Sequence, residues 1–263
     1  MLLTIDAGNT NCVFALYDGE RFVASYRCKT DAQRTSDEYA SWVMQLLNAQ
    51  GLSLGLVNAA IISSVVPDAN FQLMRFCESY CKVTPVIVGQ EGFRPEMPIL
   101  LDKPEEIGAD RLVNASAAIA HYGSPVLIID FGTATTFDVI TPKGEYNGGV
   151  IAPGINLSLN ALHAAAAKLP KIDIQAPATV TGKNTIHAMR SGIYWGYVSL
   201  IEGLVKRLVA EMDQKPTIIA TGGLAPTFAD ALPMIDHVDG ELIMKGLVVL
   251  YNQWRDEGRL AAA

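Results

Sequence analysis

The sequence lacks any long apolar run, carries little charge, has few cysteines, and contains neither of the common glycine-rich nucleotide signatures. No stretch approaches the ~20 consecutive apolar residues of a membrane span. No basic region followed by an apolar core and a cleavage site opens the chain. A cytoplasmic protein without a membrane partner is therefore expected. Among 263 residues there are four cysteines and four histidines. Cys12 and Cys28 fall in strand-like runs, while Cys77 and Cys81 share one helix face at i, i+4 spacing. The histidines (His121, His163, His187, His237) show no ligand spacing, so buried structural thiols are expected rather than a zinc centre. Charged residues make up 18% of the chain and hydrophobic ones 50%, the balance of a packed globular protein. A net charge of −7 argues against nucleic acid as a partner. Both G-x-x-x-x-G-K-[ST] and a post-strand G-x-G-x-x-G are absent, so a nucleotide site must rest on something else.

What is present is a repeated polar hairpin. A mostly apolar run, residues 2–5, ends in Asp6-Ala7-Gly8-Asn9-Thr10-Asn11, and a second apolar run, residues 12–16, follows at once. Short apolar segments around turn residues read as buried strands joined by a tight turn. Gly8 is expected to supply an unusual backbone conformation and close approach by another molecule. Asp6, at the mouth of a buried strand, needs a cation, a water or a donor. The same pattern returns at residues 126–129, which lead into Asp130-Phe131-Gly132-Thr133 and a further strand. The two aspartates stand close to half the chain length apart, a period that signals duplicated half-domains rather than a solenoid. Two such hairpins, one per half, suit a polyphosphate held between them.

The remaining pattern is α/β. Thr35-Ser36-Asp37-Glu38 is a helix start signal for residues 39–50. A strand is expected at 58–65, a helix from Pro67 to about residue 82, a strand at 83–88, and a long loop at 89–103. A helix interrupted near Gly108 should reach residue 122. The second half repeats the three strands over 126–152, then gives helices at 155–168 and about 184–212. A strand at 217–221 and helices near 225–232 and 240–256 complete it. Each half thus reads three strands, helix, strand, helix: mixed sheets flanked by helices. The division expected is 1–115 and 116–263. Met189, Ile193, Tyr194, Trp195, Tyr197 and Val198 look like more apolar surface than one helix face needs, which suggests a homodimer.

Two further motifs carry chemistry. Thr221-Gly222-Gly223 follows a strand and opens a helix, so its backbone suits a nucleoside or phosphate, or is simply a turn. Gly108-Ala109-Asp110-Arg111 is either a general base beside an anion clamp or an ordinary surface ion pair.

Taken together and in this order, these motifs, with Gly148-Gly149 and Pro153-Gly154, resemble those of type III pantothenate kinases. That family lies in the superfamily of acetate and sugar kinases, actin and heat-shock chaperone ATPases, and the resemblance spans about residues 1–255. It implies an actin-like ATPase fold and ATP-dependent phosphorylation of pantothenate, the first step toward coenzyme A. It further implies that Asp6, Ala7, Gly8, Asn9, Thr10 and Asn11 form the first phosphate loop and that Thr133 touches ATP from the second. Asp110 would be the general base, and Gly108, Ala109, Asp110 and Arg111 would line the pantothenate pocket. Thr185 would reach pantothenate from the partner of a homodimer. Asp130 would ligate a monovalent cation, K⁺ or NH₄⁺, while Mg²⁺ accompanies ATP. Arg34-Thr35-x-Asp37-Glu38 also fits, with no role assigned. One departure is Leu101, where the family usually carries tyrosine, so an apolar contact replaces a hydroxyl. The rival readings are a kinase of another small alcohol and a non-catalytic accessory or regulatory protein on the same fold.

Overall fold

In the computed structural model, which describes residues 1–90, 92–165 and 169–260, β1 (Leu2–Ala7) is apolar almost throughout because both of its faces are covered. Its side chains alternate between two cores. Leu3, Ile5 and Ala7 enter one that includes Phe14, Tyr39, Leu73 and Phe76. Leu2 enters the other, with Ile61, Val113, Leu247 and Trp254. β1 pairs antiparallel with β2 (Asn11–Tyr17) and parallel with β4 (Ala59–Ser64). With β3 (Phe22–Lys29) and β5 (Val86–Ile87) the order is β3-β2-β1-β4-β5.

The first core is closed by α1 (Ser36–Asn48) and α2 (Pro67–Phe76), the second by α3 (Ala109–Tyr122) and α7 (Leu242–Asp256). The α1 start signal is realised as a reciprocal cap. Glu38 N donates to Thr35 Oγ1 at 3.3 Å, and Thr35 N donates to Glu38 Oε2 at 2.8 Å. The helix expected to run on from Pro67 changes character at Cys77–Cys81, one π turn closed by Lys82 at φ 61°. Cys77 and Cys81 are both buried there, as expected of structural thiols. These elements form one compact unit, Met1–Met97, Lys103–Ala120 and Glu241–Ala263.

The other unit, Pro98–Asp102 and His121–Gly240, repeats the topology. β6 (Val126–Phe131) lies between antiparallel β7 (Ala134–Ile140) and parallel β9 (Thr217–Thr221), with β8 (Tyr146–Pro153) and β10 (His237–Val238) outside. Its core packs Ile129, Phe131 and Phe137 against Tyr194, Tyr197 and Ile201 of α5 (Thr185–Glu211) and Phe228 of α6 (Ala225–Ala229). α4 (Ile155–Ala165) precedes α5, and its expected extension to residue 168 lies outside the described residues. The stretch expected as a long loop is partly ordered by pairing: Leu100 N donates to Tyr146 O and Tyr146 N to Pro98 O, each at 2.8 Å. Residue 91 of that stretch lies outside the described residues. Among the described residues no helix is long and apolar enough to cross a membrane.

Candidate active site

In the first unit, strand alternation decides what Asp6 faces. Leu2 and Thr4 point toward α7, where Thr4 Oγ1 meets Met244 Sδ at 3.4 Å, and Asp6 continues that face. α3 covers the same face and begins at Ala109-Asp110. The loop before α3 lies at the strand ends. Val65, just past β4, donates its N–H to Ala7 O at 3.0 Å. A Cβ added to Gly108 would lie 3.7 Å from Val65 Cγ1 and 2.5 Å from Asp110 Oδ1. Glycine is therefore needed at 108 by the carboxylate packed against it. Asp110 Oδ1 accepts from Arg111 N at 2.8 Å. Burial raises the Asp110 pKa above its ordinary value, opposed by that hydrogen bond and by the Arg111 charge. A partly buried carboxylate with a raised pKa, at the same end and face of the sheet as Asp6, is suited to accepting a proton.

The hairpin tip is polar and exposed at Asn9, Thr10 and Asn11, and Ala7 is buried. Gly8 does not take the left-handed conformation expected of it; its N–H donates to Asn11 O at 3.0 Å. A Cβ there would stand 3.4 Å from Asn11 O, so the backbone itself tolerates a side chain. What glycine preserves at this position is open space beside the tip. Thr30, which no motif marked, staples β3 to the hairpin. Its Oγ1 donates to Gly8 O at 2.6 Å and its N–H to Thr10 O at 3.0 Å. Only its place just after a strand flanking the loop could have drawn notice.

In the second unit, Asp130 pairs across the sheet with Thr136 on one side and Thr221 on the other, so the three share a face. Thr135 belongs to the opposite face, buried and hydrogen-bonded to Tyr197 OH. It is thus removed from Asp130, although it adjoins Thr136 in the sequence. Gly222 has φ +88°, and a Cβ on it would lie 2.5 Å from Asp130 Oδ1 and 2.7 Å from Phe131 O. That position tolerates no side chain on either ground. Gly154 backs onto the carbonyls of Gly132 and Thr133, while Thr133 itself is exposed at the tip. A carboxylate and a carbonyl converging on Gly222, with two threonines flanking, form a hard oxygen set that fits an alkali cation. Among the described residues no group of three or more His, Cys, Asp or Glu is placed to hold a metal.

Thr185 is exposed at the first turn of α5, after Asn184, whose Oδ1 caps His187 N at 2.9 Å. The apolar residues first read as spare surface on α5 are largely spent inside the unit. Met189, Tyr194, Tyr197 and Val198 are all buried. Exposed apolar side chains of this unit include instead Ile151, Leu157, Leu162, Val180 and Ile186. Leu101 lies beside Gly148, whose added Cβ would be 3.3 Å from Leu101 Cδ2.

The family model of type III pantothenate kinase matches residues 2–207. The chain belongs to the type III pantothenate kinase family. The relative so named from Paramagnetospirillum magneticum is 53% identical over 253 residues, covering 96% of this chain and 97% of its own. That from Acidiphilium cryptum is 54% identical, covering 95% and 94% respectively. Solved structures show the fold at low identity. A conserved putative Baf family transcriptional activator from Campylobacter jejuni aligns with TM-score 0.59 and 17% identity, over 98% of this chain and all of that one. The activator of 2-hydroxyisocaproyl-CoA dehydratase from Clostridium difficile, with bound ADPNP, aligns with TM-score 0.57 and 12% identity, over 100% and 98%. The duplicated mixed sheets are those of the actin-like ATPase fold: the sequence repeat implied the duplication and the family resemblance the fold.

Proposed function

We propose that this member of the type III pantothenate kinase family moves the γ-phosphoryl group of ATP to the primary hydroxyl of pantothenate. The product is 4′-phosphopantothenate, the first intermediate toward coenzyme A. The observation that carries the reading, beside family membership, is the Asp6 hairpin and the Asp110 carboxylate at one end and one face of a single sheet. In this reading the backbone from Asp6 to Asn11, together with Thr133, holds the nucleotide phosphates. Gly108, Ala109 and Arg111 seat pantothenate, and Asp110 accepts its hydroxyl proton as the new P–O bond forms and the bond to the β-phosphate oxygen breaks. Phosphoryl transfer asks mainly for positioning and charge neutralisation. Mg²⁺ bound with the nucleotide supplies neutralisation at the β- and γ-phosphates.

Asp130, Thr136 and Thr221 would hold a monovalent cation, K⁺ or NH₄⁺. Thr185 would complete the site of a second copy in a homodimer. A homodimer would give cover to some of the exposed Ile151, Leu157, Leu162, Val180 and Ile186. We place the activity in the cytoplasm, where ATP is held. The test is ADP release by the purified chain with Mg·ATP, K⁺ and pantothenate. Turnover with pantothenate and none with other small alcohols is expected. ADP release that ignores pantothenate would overturn the assignment.

A further inference from the structure

Arg34 and the Cys12–Cys28 pair are left unused by the phosphoryl-transfer reading, and they meet beside the first hairpin. Cys12 on β2 and Cys28 on β3 are direct cross-strand partners, so their side chains leave the sheet on one face. Opposed Cα atoms in an antiparallel ladder stand about 4.5 or 5.5 Å apart, inside the ~4.4–6.8 Å window of a disulfide. The two thiols act on each other's ionisation, and the Arg34 guanidinium lies near enough to act on Cys28. Arg34 is itself fixed, its guanidinium 5.4 Å from the centre of the Tyr39 ring and its chain neighbour Thr35 locked in the α1 cap. Cys12 is buried, whereas Cys28 is only partly covered. The neighbouring Cys12, then the positive charge of Arg34, hold the Cys28 thiol below its ordinary pKa, while Cys12 is raised. One sulfur is thus reachable and nucleophilic, and the other is a protonated reserve behind it.

We propose that Cys28 and Cys12 form a peroxide-oxidised thiol pair whose disulfide weakens the first phosphate hairpin. The Cys28 thiolate attacks one oxygen of hydrogen peroxide. The O–O bond breaks, leaving Cys28 as a sulfenic acid, and the departing hydroxide takes a proton to become water. The Cys12 sulfur then attacks the Cys28 sulfur. The S–S bond forms, the S–O bond breaks, and hydroxide leaves with the Cys12 proton as a second water. Two thiols lose two electrons and one peroxide gains them. The consequence follows from Thr30, two residues beyond Cys28, which holds Gly8 O and Thr10 O. Opposed Cβ atoms lie about 4.5–5.5 Å apart in a ladder and about 3.8 Å apart in a disulfide. Closing that gap pulls the end of β3 by roughly 1 Å, and a displacement of that size costs up to ~10²-fold in rate.

The experiment treats the reduced full chain with hydrogen peroxide. It follows intact and peptide mass, Mg·ATP affinity by calorimetry, and ADP release. Mass reports the bond whatever alcohol the enzyme phosphorylates, so a fault in the pantothenate reading leaves this part of the test standing. The expected result is a Cys12–Cys28 linked peptide, two hydrogens lighter, with affinity or turnover reduced by about 10-fold or more and restored by dithiothreitol. Cys12→Ala and Cys28→Ser should each retain the untreated rate and lose the reversible response, and either serves if the other fails to fold. Absence of the linked peptide, a linked protein with unchanged affinity and rate, or a Cys12→Ala protein as reversibly sensitive as the parent each overturns the proposal.

Discussion

Adding one methyl group at position 108 tests whether the Asp110 carboxylate must sit where the structure holds it. The Cβ of Gly108→Ala would lie 2.5 Å from Asp110 Oδ1. Carbon–oxygen contacts, even the close C–H···O kind, run at about 3.3–3.6 Å, so the oxygen must retreat by roughly 0.8 Å or more. Retreat sacrifices the 2.8 Å bond from Arg111 N, an interaction with a charged acceptor worth about 1.5–3 kcal/mol. Misplacing a proton acceptor by that distance predicts turnover lower by up to ~10²-fold. Stability should fall by the worth of the lost bond, about 1.5–3 kcal/mol, because the two other effects of the methyl nearly cancel. Gly108 accepts Leu112 N at 3.2 Å and so occupies the N-cap of α3, where alanine is poorer than glycine. Alanine also restricts the unfolded chain, which offsets that loss by about 0.4–1 kcal/mol. The decisive measurements are kcat at saturating Mg·ATP and pantothenate, ATP affinity by calorimetry, and Tm. A second arm combines Gly108→Ala with Asp110→Asn. If the methyl acts through the carboxylate, the double variant is no slower than Asp110→Asn alone. Full turnover in Gly108→Ala, or multiplied losses in the double variant, would refute the reasoning.

Asp110→Asn itself should lose at least ~10²-fold in turnover while still binding ATP, a comparison made by steady-state rate and calorimetry. Because burial raises the folded-state pKa of Asp110, its ionised form costs stability as pH rises through that pKa, and the cost is absent below the unfolded value. The asparagine variant should therefore gain Tm at neutral pH relative to the parent, and the gain should vanish in acid. Replacing Na⁺ or Tris by K⁺ or NH₄⁺ should raise activity strongly, and Asp130→Asn should blunt that response; equal rates in rigorously K⁺- and NH₄⁺-free buffer would remove the cation from Asp130. Mixing inactive Asp110→Asn chains with inactive Thr185→Val chains should restore part of the rate after subunit exchange, whereas a monomer by light scattering would count against a shared site.

The strands and helices near the hairpins were legible because local pattern and tertiary environment agree there. Short apolar runs, residues 2–5 and 126–129, ending in Asp-x-Gly give β1 and β6, and the Thr35–Glu38 cap fixes the start of α1. Less legible was anything set by register or by distant packing. Three nearby threonines, Thr133, Thr135 and Thr136, look alike in one dimension, yet alternation sends Thr135 into the core against Tyr197 and leaves Thr136 beside Asp130. The two-residue strands β5 and β10 hold too few side chains to show a period; each is defined by a parallel neighbour. The apolar surplus of α5 was visible, but its destination was not. Tyr194 stacks on Phe228 and Tyr197 packs tilted against it, from a later helix that sequence spacing alone does not pair with α5. Thr30 went unmarked, and Arg34 was left without a role, for a similar reason: what each touches lies across the sheet or beyond it.

The two hairpins descend from one pattern, yet their aspartates have acquired different neighbours, and this explains why a cation is assigned to only one of them. Both carboxylates occupy the penultimate position of a strand, between an antiparallel and a parallel partner. Asp6 has Val13 on one side and Ser63 on the other. Asp130 has Thr136 and Thr221 in the equivalent places, and Gly222 leaves the space beside its Oδ1 open. A cation without rigid geometric demands gains from each added neutral oxygen, because every ligand replaces part of its lost hydration. The second hairpin offers those oxygens on both sides, while the first offers an apolar wall on one. The first is better used for a phosphate, which needs backbone N–H groups and room rather than hydroxyls. The fold supplies the position twice, and under the proposed function the residues opposite it in the sheet would decide which charge each copy serves.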